Sequence, residues 1–563
     1  MSDPANPLIV QSDLTVLLEV AAERTPEVRP LLARFAELDK APEHIHSYRI
    51  TPLSLWNAAV AGLTEEDVVA TLTDFAKYPV PGVVVREVSD VMARYGRVWL
   101  ARIDSGLVLA ADDDLILDEL ASVRSVAELL GQRLDRHRFA VADRDRGVLK
   151  QALLAAGWPA ADEAGFESGA ALGPMVVTAE LRPYQRDAVT AWWRGGDPSG
   201  GSGVVVLPCG AGKTVVGLAV VAATSAHTLV VCTSISSIRQ WIRETIDKTT
   251  LTADDLGEWS GEIKQLRPVT FVTYHSLTWA DPLAAADADV FTRHPHLELF
   301  NQVGWGLVVY DEVHLLPAPV FRAAARVQAI RRLGLTATLV REDGREGDIF
   351  SLIGPKRFDA PWSEFESAGW IATATCTEVR VALGNERRAE YSSSEPKLRH
   401  RIAATATEKI AVVDSLIAAH PDEQILVIGQ FVEQLRDIAA RIGAPLLTGQ
   451  TPQATRERLF AQLRAGEIRV LVVSKIANFS IDLPEVSVAI QVSGQFGSRQ
   501  EEAQRLGRIL RPKANGGAAS FYSVIADETD EVRFARNRQR FLAEQGYTYS
   551  IIDAAVDGSL PAR

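Results

Sequence analysis

Cysteine is scarce in this chain. Cys209, Cys232 and Cys376 are the only three in 563 residues, an odd number at spacings that suit no metal site. That excludes a disulfide-stapled scaffold and predicts reduced thiols in a cytoplasmic protein. Long hydrophobic runs are also missing. Stretches such as 204–207 and 215–223 fall well short of the roughly 20 residues a membrane-crossing helix needs, so no membrane partner is expected. The opening Met1, Ser2, Asp3 and Pro4 lack the basic start and apolar run of a secretory signal. What is present is globular: 47% hydrophobic and 23% charged residues exclude a disordered or collagenous chain. At roughly 100 to 200 residues per domain the chain divides into three or four units. The net charge of −13 by itself argues against a polyanionic partner. Residues 1–180 hold −11 of it, however, and arginines cluster beyond them. A binding groove needs a local positive track, not a basic whole chain.

Residues 1 to about 175 mix short apolar runs with helical patterns and read as α+β. From Leu181 the texture changes. Near-continuous apolar strands are predicted at 204–207, 228–232, 269–272, 307–310 and 333–335. A second series follows at 425–428, 446–447, 470–473, 488–492 and 518–523, with helix-length segments between the strands. Apolar strands alternating with helices make a parallel sheet covered on both faces, and the pattern occurs twice, so two α/β lobes are predicted. The break falls near 355–377, and a basic, weakly hydrophobic stretch from Asn385 to Arg401 forms an appendage on the second lobe.

Residues 207–214, LPCGAGKT, follow a strand and open a helix, as a phosphate-binding loop requires. Gly210, Ala211 and Gly212 let the backbone curl with its N–H groups toward a β-phosphate. Lys213 then bridges the β- and γ-phosphates of ATP, and the Thr214 hydroxyl binds Mg²⁺. Leu207 stands where the general pattern has its first glycine. Asp311 and Glu312 end a buried strand, where two carboxylates are costly unless they handle a cation or a proton. Asp311 is expected to hold the Mg²⁺ and Glu312 to orient and polarise the attacking water. Gln185 precedes the first strand, where its amide could read an adenine edge. Thr273 and Tyr274 end another strand, suited either to phosphate oxygens or to an ordinary turn. Thr336 and Thr338 suit a link from the nucleotide site to the other face of the lobe. In the second lobe Arg505 and Arg508 are candidates to neutralise charge on the γ-phosphate.

Together these strings resemble superfamily 2 helicases, and more narrowly the XPB family. The resemblance rests on LRPYQ at 181–185, LPCGAGKT at 207–214, DEVH at 311–314 and LTATLVRED at 335–343. IGPK at 353–356, SIDLPE at 480–485 and GSRQEEAQRLGRILRPK at 497–513 extend it, and NPLIVQSD at 6–13, HIHSYRIT at 44–51 and MARYG at 92–96 carry it upstream. It implies two tandem RecA-like lobes, 179–360 and 361–545, with a thumb at about 383–403 and a tail at 546–563. An α+β protein-contact domain at 1–130 and a small damage-recognition-like segment at 131–178 precede them. The implied activity is ATP-dependent 3′–5′ translocation on DNA in nucleotide excision repair. Single-stranded and forked duplex DNA are the implied substrates, and a repair nuclease or other repair protein is the implied partner of the N-terminal domain. Gln504, Arg505 and Arg508 fall in the arginine-finger motif, Arg341, Glu342 and Asp343 in the strand-separating element, and His314 and Asp482 among the coupling residues. A duplex translocase that opens DNA through a partner, and a nucleotide-gated scaffold, are the alternative readings.

Overall fold

The computed structural model describes residues 3–42, 44–208, 210–261, 263–285, 288–328, 330–337, 345–359, 365, 374–474, 486–493, 519–544, 549–555 and 558–560. The first unit is an antiparallel sheet of β1 (Leu8–Val10), β2 (Thr15–Glu19), β3 (Glu37–Lys40) and β4 (Ile45–Arg49), in the order β1-β2-β4-β3. Alternation in β2 buries Val16 and Leu18 on one face, against helices such as Pro52–Val60, Glu65–Phe75 and Gly82–Met92. Two of these helices start at reciprocal capping boxes built on Thr51 and Thr64.

A second sheet contains β5 (Val98–Ile103), β6 (Gly106–Ala111), β7 (Leu130–Asp135), β8 (Arg138–Val141) and β9 (Ala161–Asp162), in the order β7-β8-β6-β5-β9. The boundary expected near residue 130 therefore falls inside this sheet, and the two units part near residue 97. Each has its own buried cluster, and composition changes little where one stops and the next starts. The helix Arg146–Ala155 of this second unit packs on the lobe helices Ala318–Arg326 and Glu346–Leu352. The approach is so close that a Cβ on Gly147 would meet the Ala325 carbonyl at 2.4 Å.

The first lobe is a parallel sheet of β10 (Ser202–Val206), β11 (Thr228–Cys232), β12 (Leu256–Trp259), β13 (Val269–Thr273), β14 (Leu307–Asp311), β15 (Arg331–Thr336) and β16 (Lys356–Asp359). Their order is β12-β13-β11-β14-β15-β10-β16. The second lobe repeats the design with β17 (Ala374–Val381), β18 (Ile425–Gly429), β19 (Leu446–Leu447), β20 (Val470–Ser474), β21 (Val488–Gln491), β22 (Ala519–Ala526) and β23 (Tyr549–Asp553), ordered β19-β20-β18-β21-β22-β17-β23. These are two RecA-like parallel sheets behind a mixed α+β region. The stretch 546–563, expected as a tail, supplies the edge strand β23. The basic appendage is a pair of helices, Asn385–Ser393 and Pro396–Ala404. It is fastened to the helix Asp530–Glu544 where the Asp530 N–H donates to the Tyr391 hydroxyl at 2.8 Å. Among the described residues, no helix is long and apolar enough to cross a membrane.

Candidate nucleotide site

In both sheets all strands point the same way, so their carboxyl ends form one rim, the place where open α/β sheets bind ligands. In the first lobe that rim carries the predicted motifs. Every residue of β10 is buried, and the chain then turns through Gly210 at φ +84° and Gly212 at φ +77° into the helix Lys213–Thr224. The first turn of this helix adjoins the loop, and a helix N-terminus attracts phosphate.

Lys213 Nζ lies 3.3 Å from Glu312 Oε1. Glu312 Oε2 is 3.6 Å from His314 Nδ1, which in turn lies 2.6 Å from Thr336 Oγ1. The structure thus brings Lys213, Glu312, His314 and Thr336 into one chain of contacts spanning β10, β14 and β15. Glu312 adopts a left-handed backbone at φ +52°, a conformation that costs a non-glycine residue energy and concentrates at functional sites. Asp311 Oδ2 accepts from Trp241 Nε1 at 3.0 Å and from the Ser237 hydroxyl at 3.2 Å. Burial, with the adjacent Glu312 charge second, raises the Asp311 carboxyl to about 6. Burial also opposes ionisation of Glu312, but Lys213 and His314 beside it hold it below the usual range. Two partly buried carboxylates near one lysine leave a deficit of positive charge, which fits a divalent cation beside Asp311.

Gln185 is differently placed from its expected role. It is buried, its Nε2 donates to the Ala211 carbonyl at 2.9 Å, and its Oε1 accepts from the Arg182 N–H at 2.9 Å. Both ends of the amide are engaged by backbone, so in this structure it braces the phosphate loop and caps its own helix. A Cβ on Gly212 would come within 2.6 Å of that amide, which makes glycine necessary there twice over. Tyr274 also faces inward. It is buried and its hydroxyl donates to the Asp311 carbonyl at 3.0 Å, so in this structure it supports the acidic strand end and offers nothing to a phosphate. Thr273 caps the short helix Tyr274–Leu277 through the Ser276 N–H at 3.0 Å, the turn-forming alternative.

Sequence reasoning missed Ser237, Trp241 and Tyr184. The first two lie one turn apart on the helix Ile235–Lys248 and so share a face, a spacing visible in the sequence. The Tyr184 hydroxyl donates to the Ala211 carbonyl at 2.8 Å, and its ring meets Phe365 edge-on at 4.5 Å. Cys232 and Cys376 are both buried. Thr338, Arg341, Glu342, Asp343, Asp482, Gln504, Arg505 and Arg508 lie outside the described residues, as does Cys209.

Family comparisons agree with this geometry. Residues 365–559 match a family model described as ERCC3/RAD25/XPB C-terminal helicase, and residues 178–341 match one described as type III restriction enzyme, res subunit. Residues 8–135 match a model described as helicase conserved C-terminal domain, although here they form the N-terminal sheet and most of the second one. The chain is 54% identical over 552 residues to the DNA 3′–5′ helicase XPB of Mycobacterium tuberculosis, covering 97% of this chain and 98% of that protein. It is 53% identical to the DNA 3′–5′ helicase XPB of Kineococcus radiotolerans, covering 99% and 98%. It is 29% identical to the general transcription and DNA repair factor IIH helicase/translocase subunit XPB/SSL2 of Saccharomyces cerevisiae, covering 97% and 72%.

A phosphate loop and an acidic strand end on the rim of one of two RecA-like lobes define an ATP-dependent helicase of superfamily 2. Within that class the chain belongs to the XPB family of DNA helicases.

Proposed function

We propose that this protein couples ATP hydrolysis at the first-lobe rim to 3′–5′ translocation on DNA during nucleotide excision repair. What supports this reading most is the line of contacts from Lys213 through Glu312 and His314 to Thr336. It joins the residue that would hold phosphate to the strand end leading toward the segment 338–343, which carries Thr338, Arg341, Glu342 and Asp343.

Lys213 would leave Glu312 for the β- and γ-phosphates, with Gly210, Ala211, Gly212 and Thr214 cradling them. Glu312, released from its lysine, would then orient and polarise the attacking water. Asp311 and the Thr214 hydroxyl would hold Mg²⁺, which when bound supplies charge neutralisation at the phosphates. His314 would report the change to Thr336. Gln504, Arg505 and Arg508 of the second lobe would complete the site, and Asp482 would couple it to DNA, so that nucleotide draws the lobes together and its loss lets them part. The N-terminal domain would dock a repair nuclease or another repair protein, within the cytoplasm.

The test is ATP turnover measured in parallel with single-stranded DNA, duplex DNA and RNA, beside unwinding of a forked duplex. DNA-selective stimulation with unwinding is expected. Stimulation without unwinding would mean a translocase that opens DNA through a partner, and turnover indifferent to any polymer would mean a nucleotide-gated scaffold.

A further inference from the structure

Three rings meet at the outer edge of the first lobe. Trp259 ends β12, and in register it sits opposite Val272, one residue before the end of β13. His296 meets Trp259 edge-on at 6.5 Å and stacks on Trp279 at 5.5 Å with an interplanar angle of 25°. Trp279 follows the short helix at the carboxyl end of β13. One of its faces lies on His296, yet the residue remains 46% exposed.

Hydrogen bonds fix this arrangement from behind. His296 Nδ1 lies 2.8 Å from the Ser276 carbonyl, and His294 Nδ1 lies 2.9 Å from the Thr278 carbonyl. The Ser276 hydroxyl in turn accepts from Thr273 at 2.9 Å. Lys264 places its ammonium 4.8 Å from the Trp259 ring, and among the described residues no carboxylate lies within ion-pair distance of it.

The location excludes a part in binding ATP. In the order β12-β13-β11-β14-β15-β10 the rings lie five strand spacings from β10, or roughly 24 Å at about 4.8 Å each. They stand on the same rim as the nucleotide site but far from its phosphate loop. A ring cluster whose outer member, Trp279, is nearly half exposed, with a lysine against the ring at its other end, suits a planar ring bound without regard to its edge. Every nucleobase is such a ring.

We propose that Trp279, backed by His296 and Trp259, is a stacking platform for an unpaired base of single-stranded DNA, with Lys264, which lies against Trp259, for a phosphate further along the strand. This rests on the reading of the protein as a DNA translocase whose strand crosses the carboxyl rim of the sheet. It adds a base-contacting site to a track otherwise expected to grip the backbone.

The experiment measures binding of the full chain to a labelled single-stranded oligonucleotide and to one of equal length made of abasic sites. Trp279→Ala should weaken binding to the ordinary strand roughly 5- to 150-fold, the range of one lost base stack. Trp279→Phe should keep most of the affinity, and the abasic strand should bind the unaltered chain and Trp279→Ala alike. Equal affinity of Trp279→Ala and the unaltered chain for the ordinary strand would overturn the platform, as would an equal loss on the abasic strand. Failure of the unaltered chain to bind any single strand would instead sink the translocase reading beneath it.

Discussion

Gln185 shows how much of the nucleotide site is held by groups that never touch a phosphate. Its amide and the Tyr184 hydroxyl converge on the Ala211 carbonyl at 2.9 and 2.8 Å, fixing a loop whose glycines alone would leave it free. Replacing Gln185 by Ala should therefore raise the KM for ATP and for GTP by the same factor, about 5-fold for one hydrogen bond of ~1 kcal/mol. The check is turnover with both nucleotides: a change in the ATP-to-GTP preference would return Gln185 to the adenine. The residue types at the site were readable because phosphate and water chemistry limits them to few choices. Their partners were less so. That Asp311 leans on Trp241 and Ser237, and that Tyr274 faces inward, depends on how β11, β13 and β14 align, which no local string encodes.

At the level of elements, the junction between the second sheet and the first lobe is a buried cluster with too few carboxylates. Asp162 accepts from Arg146 Nη2 at 2.6 Å and Lys150 Nζ at 2.9 Å, and Lys150 also donates to Gln328 at 2.9 Å. Fully buried Arg332, on β15, is the third cation, with the Tyr310 ring of β14 nearby. Burial lowers Lys150 to about 8, against the pull of Asp162 and with the push of Arg332 and Arg146. Below pH 8 Lys150 is charged in both folded and unfolded chains and its burial penalty is fully present. Between about 8 and 10.5 the unfolded chain binds more protons, so stability rises with pH. Lys150→Met should accordingly raise the Tm at pH 7, with the gain shrinking toward pH 10. Asp162→Asn should do the reverse, costing about 3–5 kcal/mol by leaving cations uncompensated, and limited proteolysis should then cut between the second sheet and the lobe. The appendage helices make a separate prediction. Arg388 and Arg401 are 58% and 56% exposed and among the described residues pair with the surface carboxylates Glu528 and Glu433. If they face DNA phosphates, replacing both by Ala should flatten the salt dependence of duplex binding by about 2 in slope, at ~0.9 per contact. An unchanged slope would assign them to the helix pair alone. The interior strands of both lobes were legible because burial on two faces forces continuous apolar runs. The edge strands β12, β16 and β23 were not, since an edge tolerates the polar residues of LGEW, KRFD and YSIID. The interior strand β17 was hidden for another reason. Its buried Glu378 accepts from Gln539 at 2.9 Å and from Tyr549 at 2.7 Å, a polar residue made acceptable by partners far along the chain.

Across the whole molecule, the N-terminal domain touches both lobes. Asn57 Oδ1 accepts from the Lys356 N–H at 3.0 Å, tying the helix Pro52–Val60 to β16 of the first lobe. On its other side β3, the outer strand of its sheet, lies against the helix Asp530–Glu544 of the second lobe. β3, with the sequence ELDK, is net acidic, and the helix, with four arginines against three carboxylates, is net basic. A domain fastened at both ends spans the seam that a translocation cycle has to open and close. A strap of this kind resists movement of one lobe against the other, so loosening it should ease the nucleotide-driven step. Glu37→Lys with Asp39→Lys turns attraction at the second-lobe end into repulsion and leaves the Asn57 contact alone. The double variant should show a larger radius of gyration by solution scattering, and unstimulated ATP turnover at limiting nucleotide raised roughly 2- to 5-fold, as expected for about 0.5 to 1 kcal/mol of released surface charge interaction. DNA stimulation, expressed as a ratio, should fall correspondingly, because part of what DNA does to the lobes has already been done. If the radius grows while turnover stays fixed, the N-terminal domain docks on the second lobe without governing its motion. If neither changes, β3 and the helix are neighbours held by other groups.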